Sequence, residues 1–109
     1  MDTIQQLTNA IVEFRDLRDW EQFHNPKDLA LALSIEASEL NELFLWKGND
    51  EADPVKLKEE LADVFMFALL LAHQKGLDVK QIVLEKLQLN AGKYPVDKSK
   101  GNAKKYDQL

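Results

Sequence analysis

The segment LADVFMFALLLA, residues 61–72, restricts the possible folds of this chain more than any other feature. Eleven of its twelve residues are apolar, and the exception is Asp63. Pro54 precedes the segment and Gly76 follows it, at the positions where helices commonly begin and end. A helix that is apolar on every side is typical of the centre of a helical protein. The segment therefore predicts a helix that is buried all round.

Similar start and stop signals divide the rest of the chain. Asn25 before Pro26 and Asp53 before Pro54 predict capped helix starts, whereas Gly48 predicts a helix end. Apolar residues recur at spacings of three and four, and no β-type alternation persists. The predicted helices cover residues 3–20, 26–47, 54–75 and 78–91. We expect an all-α fold, a small four-helix bundle.

Length and composition restrict the function classes. A chain of 109 residues with 45% hydrophobic residues suits one compact domain, predicted over residues 1–96, followed by a lysine-rich tail at 97–109 that is mobile without substrate. The absence of cysteine excludes disulfides, thiolate zinc sites and cysteine nucleophiles. A net charge of −5 argues against nucleic-acid partners, and the apolar runs are too short for a membrane span. No targeting signal is visible at the N-terminus, so we expect a cytoplasmic protein.

Two pairs of acidic residues lie where apolar side chains are expected. On the second predicted helix Glu36 falls within the apolar stripe, and Glu39 lies at its edge. On the third helix Glu60 precedes Asp63 by three residues, so both lie on one side. An isolated carboxylate in a core costs several kcal/mol or takes up a proton, so the four acids require compensation.

Buried basic side chains or a divalent metal ion could compensate the four acids. Few lysines or arginines lie within these helices, which favours metal, and an all-carboxylate set favours Mg²⁺ or Mn²⁺. A di-iron site would need Glu-x-x-His motifs, which neither pair contains. A different class of function is also consistent with the pattern: a non-catalytic interaction module whose acids are buried against the lysines of a partner.

Aromatic and polar residues near helix ends allow two interpretations. Trp20, His24 and Trp46 could stack on or contact a nucleobase, or they could close the end of the core. Asn90 and Lys93 could read a base edge and pair with phosphate, or they could simply end a helix.

The sequence resembles the MazG-like all-α nucleoside triphosphate pyrophosphatases, whose signature is ExxE on one helix and ExxD on the next. Here the signature reads Glu36-Ala-Ser-Glu39 and Glu60-Leu-Ala-Asp63. Within the family the chain is most similar to the small dCTP pyrophosphatase branch, through RDWEQFHNPKDLALALSIEASELNELFLWK, EELADV, NAGKYPV and SKGNAKKY. The resemblance extends over about residues 14–106.

The resemblance implies Mg²⁺-dependent hydrolysis of a (deoxy)nucleoside triphosphate to the monophosphate and pyrophosphate, with a role in cleansing the nucleotide pool. It also implies a homo-oligomer, a dimer or a tetramer built from dimers, with the site shared between chains. Phe67 departs from the branch, where tyrosine is common, which leaves the base preference open.

The resemblance assigns the site residues by position. The metal ligands are Glu36, Glu39, Glu60 and Asp63; the base and sugar pocket contains Trp20, His24, Trp46 and Asn90, with Phe67 at the departing position; and Lys93, Tyr94, Lys104 and Lys105 lie near phosphate or sugar. We expect Glu36 and Glu39 to be catalytic, with Glu39 as the general base because it lies at the edge of the stripe. A phosphohydrolase that releases orthophosphate is the remaining alternative.

Overall fold

The structure, a computed structural model, describes all 109 residues and contains α-helices, short 3₁₀ turns and no strand. The helices are α1 (Thr3–Leu17), α2 (Pro26–Glu42), α3 (Pro54–Gln74), α4 (Val79–Lys93) and α5 (Val96–Ser99). The predicted all-α class is confirmed. No helix combines the length and the apolar composition that crossing a membrane requires.

The helix starts follow the predicted capping residues. The Asn25 side chain accepts a hydrogen bond from the backbone N–H of Asp28 at 2.8 Å, and the Asp53 side chain accepts one from Val55 at 2.9 Å. In both cases proline occupies the first helical turn, where its missing N–H leaves no intrahelical bond unmade. Asp78 caps α4 in the same way, at 3.0 Å from the backbone nitrogen of Gln81.

The helix ends differ from the prediction in three places, and the smallest difference is at α4, which ends at Lys93 instead of residue 91. α1 ends at Leu17 instead of residue 20, because Asp19 takes a φ of 55° and a 3₁₀ turn, Glu21–Phe23, follows. α2 ends at Glu42 instead of residue 47, before Trp46 with its φ of 61°. α3 ends as expected: Gly76 has a φ of 66°, and the next backbone N–H reaches the Ala72 carbonyl at 2.9 Å.

The chain forms two compact units, Met1–Leu77 and Asp78–Leu109. In the first unit α2 packs along α3, and α1 packs on α3 as well. Leu29 of α2 and the α3 residues Leu69, Leu70 and Ala72 form its buried core. The predicted division into a domain over 1–96 and a tail over 97–109 stays a prediction.

The expectation that residues 61–72 are buried all round is wrong for this chain. Leu69, Leu70 and Ala72 are buried, but Phe65 is 61% exposed and Leu61 and Met66 are partly exposed. α1 and α2 cover only part of the circumference of α3, which leaves an apolar face in contact with solvent. α4 likewise has no buried residue, and Val83, Leu87 and Leu89 are at least half exposed.

Candidate metal centre and adjoining pocket

The packing of α2 along α3 brings carboxylates from both helices together. Glu36 lies on the side of α2 that packs, and Glu60 and Asp63 occupy successive turns of α3. One oxygen from each of these three residues lies within 4.8 Å of the other two. The two helices thus bring three of the four acidic residues of the two pairs to a single point.

The electrostatics of this carboxylate cluster are unfavourable for three negative charges. Burial, followed by the Glu39 carboxyl and by the charges of Asp63 and Glu60, raises the pKa of Glu36 to about 7. Burial and then Glu39 and Asp63 also raise the pKa of Glu60. The Oε2 atoms of Glu36 and Glu60 are both buried without a hydrogen-bond partner. Two buried acceptors without donors are the condition that a bound cation would satisfy.

No basic side chain of this chain compensates the carboxylate cluster. The only ion pairs are those of Arg15 with Asp16 and Glu21, so none reaches the four acids. Compensation by a buried lysine or arginine of the same chain, one of the two possibilities left open by the sequence, is therefore not observed. A donor set made only of carboxylate oxygens fits a hard divalent cation such as Mg²⁺ or Mn²⁺.

Glu39 lies beside the cluster and outside the group of three that could share one ion. Its carboxyl nevertheless raises the pKa of both Glu36 and Glu60, so it is close enough to interact with each of them. The assignment of Glu39 as a metal ligand, which the resemblance implies, stays a prediction.

A pocket of about 360 Å³ opens beside the carboxylate cluster. Glu36 and Asp63 line one part of it, and aromatic and aliphatic side chains line the remainder. The full lining consists of Ile11, Phe14, Arg15, Trp20, His24, Glu36, Asp63, Met66, Phe67 and Leu70. Apolar walls with a few polar groups are typical of a site that binds a small organic molecule.

Three residues assigned to base recognition from the sequence lie at this pocket: Trp20, His24 and Phe67. Burial, and then the positive charge of Arg15, lowers the pKa of His24, so its imidazole is neutral near pH 7. The Nδ1 atom of His24 is buried and has no hydrogen-bond partner. The pocket therefore contains an unpaired polar atom that a ligand could satisfy.

Trp46 does not line this pocket. Its side chain is 94% exposed, and its backbone adopts a left-handed conformation that is unfavourable for a residue with a β-carbon. Its predicted role at the base stays a prediction.

The other predicted site residues belong to the second unit. The ring of Tyr94 packs edge-on against Tyr106 with centroids 6.2 Å apart, and the Lys93 ammonium lies 4.9 Å from the Tyr106 ring centre. The Asn90 carbonyl accepts a hydrogen bond from the Tyr94 N–H at 2.8 Å. Lys104 and Lys105 are exposed and directly precede a 3₁₀ turn, Tyr106–Gln108. Residues 93–94 and 106 thus form a small aromatic cluster within this unit.

Comparison with known proteins identifies the family. A model of the MazG-like family matches residues 31–109, which include both acidic pairs. The chain belongs to the MazG-like family.

Relatives of this MazG-like chain include the mouse (Mus musculus) dCTP pyrophosphatase 1, which is 41% identical over 115 residues that cover 98% of this chain and 68% of that protein. The human (Homo sapiens) dCTP pyrophosphatase 1 is 37% identical over the same shares. The crystal structure of a pyrophosphatase from Archaeoglobus fulgidus superimposes with a TM-score of 0.80 and 33% identity, covering 87% of this chain and 94% of that one.

Sequence reasoning missed part of the pocket of this MazG-like protein. The sequence patterns described above did not single out Ile11, Phe14 or Arg15, and all three line the pocket. Positions 11, 14 and 15 follow the spacing of three and four that places residues on one face of a helix, and Trp20 follows shortly afterwards. That spacing could have assigned all three to the same site.

Proposed function

We propose that this protein is a Mg²⁺-dependent nucleoside triphosphate pyrophosphatase, which hydrolyses (deoxy)nucleoside triphosphates to the monophosphate and pyrophosphate. The observation that carries the proposal is the carboxylate cluster of Glu36, Glu60 and Asp63 at the margin of an aromatic pocket. The pocket offers ring surfaces on which a base could stack, and the cluster adjoins it where a phosphate chain would be held. The names of the dCTP pyrophosphatase relatives and of the archaeal pyrophosphatase support the same reaction.

Each acidic residue has a role in this proposal. Glu36, Glu60 and Asp63 hold the cation, which supplies charge neutralisation of the triphosphate and Lewis-acid activation of water when it is bound. Glu39, at the margin of the cluster, accepts the proton of the attacking water. Replacing Glu39 with Gln distinguishes base from ligand: loss of turnover with intact Mg²⁺ affinity supports the base, whereas the opposite pattern makes Glu39 a ligand.

The decisive experiment identifies the products of a panel of canonical and modified deoxynucleoside triphosphates incubated with the protein and Mg²⁺. Pyrophosphate and monophosphate are expected, with a preference for dCTP-like bases. Orthophosphate release would instead indicate a different cleavage point, and no hydrolysis of any substrate would overturn the proposal. Glu60→Gln should abolish the activity, and Glu42→Gln, which removes an exposed acid of the same helix that carries Glu36, should not.

A homo-oligomer, dimer or tetramer, completes the proposed enzyme. The exposed apolar side chains of Leu61 and Phe65 on α3, and the exposed leucines of α4, support association, because water-exposed apolar patches mark contact surfaces. Light scattering in solution tests this directly: a mass of 12.5 kDa, that of one chain, would contradict it. The cytoplasmic location and the role in cleansing the nucleotide pool stay predictions.

A further inference from the structure

The pocket beside the carboxylate cluster contains one side chain that the proposed reaction does not yet use. Arg15, near the end of α1, is only 4% exposed and lines the pocket together with Phe14 and Trp20. A guanidinium is permanently charged and rarely buried unless its donors are engaged. A guanidinium buried at a pocket wall therefore needs acceptors for its N–H donors.

Two of the three guanidinium nitrogens contact acids that lie outside the pocket. The Nε and Nη2 atoms of Arg15 both lie 2.9 Å from the Oδ1 atom of Asp16, and Nη2 lies 3.8 Å from Glu21. The Arg15 carbonyl also accepts a hydrogen bond from the Trp20 N–H at 3.2 Å. The contacts with Asp16 orient the guanidinium, and the carbonyl hydrogen bond connects the Arg15 backbone to Trp20. The Nη1 atom makes no hydrogen bond or ion pair with another residue.

We propose that Arg15 recognises the base of the bound nucleotide by donating a hydrogen bond from Nη1 to an acceptor on the base edge. The inference rests on the proposed function and deepens it, because it names the group that distinguishes a nucleotide from a bare triphosphate. The ligand class is a base that presents a carbonyl oxygen or an unprotonated ring nitrogen. His24 supplies the second polar atom, since its Nδ1 also has no partner.

The charge of Arg15 favours a base over a phosphate as its target. Asp16 and Glu21 already neutralise the guanidinium, so its net attraction for a polyanion is small. Its uncommitted donor belongs to a side chain that lines the pocket with Phe14 and Trp20, which suits a neutral acceptor on a bound base. Hydrogen bonds from a charged donor in such a place are stronger than neutral ones and discriminate strongly against ligands that lack the acceptor.

The test compares two substrates that differ only in the base: dCTP and 2′-deoxyribose 5′-triphosphate, which has none. In the Arg15→Gln variant we expect kcat/KM for dCTP to fall by on the order of tenfold to a hundredfold. Hydrolysis of the baseless triphosphate should be unchanged, since it never contacts Nη1. Lys75→Gln, which removes an exposed positive charge just after α3, is the matched control and should alter neither substrate.

If Arg15→Gln lowers kcat/KM equally for both substrates, the inference is overturned, because Arg15 would then act on the phosphates or on folding. Since a buried arginine can be essential for folding, Arg15→Lys provides the second variant. This variant keeps the positive charge beside Asp16 but lacks the planar guanidinium. We therefore expect kcat/KM to fall more for dCTP than for the baseless triphosphate, as in Arg15→Gln. An unchanged dCTP preference in a folded Arg15→Lys protein would also overturn it. Failure of the wild-type protein to hydrolyse either substrate would refute the proposed function instead.

Discussion

Replacement of Glu36 by glutamine should stabilise the fold in the absence of metal and destabilise it, relative to the wild type, when metal is bound. Without metal, the variant removes a carboxylate whose negative charge is opposed by burial and by the neighbouring acids, so we expect it to stabilise the fold. The pKa of Glu36 rises from its ordinary 4.5 to about 7. Because each pH unit between the two values is worth about 1.4 kcal/mol, the upper bound on the gain at pH 8 is about 3 kcal/mol. Water reaches the half-buried carboxylates and screens them, which reduces the expected gain to about 1 kcal/mol.

The sign of this effect fixes its pH dependence. A folded-state pKa above the unfolded value means that the folded chain binds more protons than the unfolded chain between about pH 4.5 and 7. The stability contributed by protonated Glu36 is therefore complete below pH 4.5 and is lost as the pH rises towards 7. The melting temperature of the wild-type protein without metal should therefore fall as the pH rises from about 4.5 to 7. In Glu36→Gln the melting temperature should fall less over the same pH range.

The assay is thermal unfolding in a chelator and in Mg²⁺, at one fixed protein concentration because an oligomer's apparent stability depends on it. At pH 8 in chelator, the variant should melt about 5 °C above the wild type. In Mg²⁺ the wild type should gain stability and the variant much less. Glu42→Gln, on the exposed side of α2, should remain within about 0.5 kcal/mol of the wild type under all conditions. A Glu36→Gln variant that melts below the wild type in chelator at pH 8 would refute the reasoning.

Three further substitutions test the fold around the site. Leu29→Ala should lower the free energy of unfolding by about 2–5 kcal/mol in a denaturant titration, because Leu29 is 1% exposed, whereas Leu31→Ala at a 56% exposed position should have little effect. Asn25→Ala should cost about 1 kcal/mol in the same measurement through loss of the α2 cap, and no loss would contradict the capping role. Trp46→Gly should stabilise the isolated chain by about 1 kcal/mol, because glycine accepts the left-handed backbone, and should weaken nucleotide binding if Trp46 contacts the base; a less stable variant would contradict the backbone argument.

The helix starts and the acidic cluster were predictable because they depend on local rules. Capping by Asn25, Asp53 and Asp78 requires only a side chain and a backbone N–H a few residues apart. The convergence of Glu36 with Glu60 and Asp63 follows from two helical spacings and the packing of two consecutive helices.

The exposed face of α3 and the full lining of the pocket were not predictable in the same way. The apolar composition of residues 61–72 indicates that every side of the helix avoids water, but it does not indicate whether the same chain or another covers each side. α2 ends early because the backbone changes to i→i+3 hydrogen bonds from Leu43 onwards. It then becomes left-handed at Trp46, a position where the sequence has neither glycine nor asparagine to predict that conformation. The sequence does not predict Arg15 as a pocket residue, because a single arginine near a helix end is most often exposed to solvent.

Helix α1 supplies side chains to the pocket but none to the carboxylate cluster, and this separation affects how the protein could diversify. α1 contributes Ile11, Phe14 and Arg15 to the pocket and none of the clustered carboxylates. Substitutions on this face of α1 could therefore change which base is accepted while the hydrolytic machinery on α2 and α3 is inherited intact. In a lineage built on this architecture, part of the pocket wall can therefore vary without any change to the clustered carboxylates.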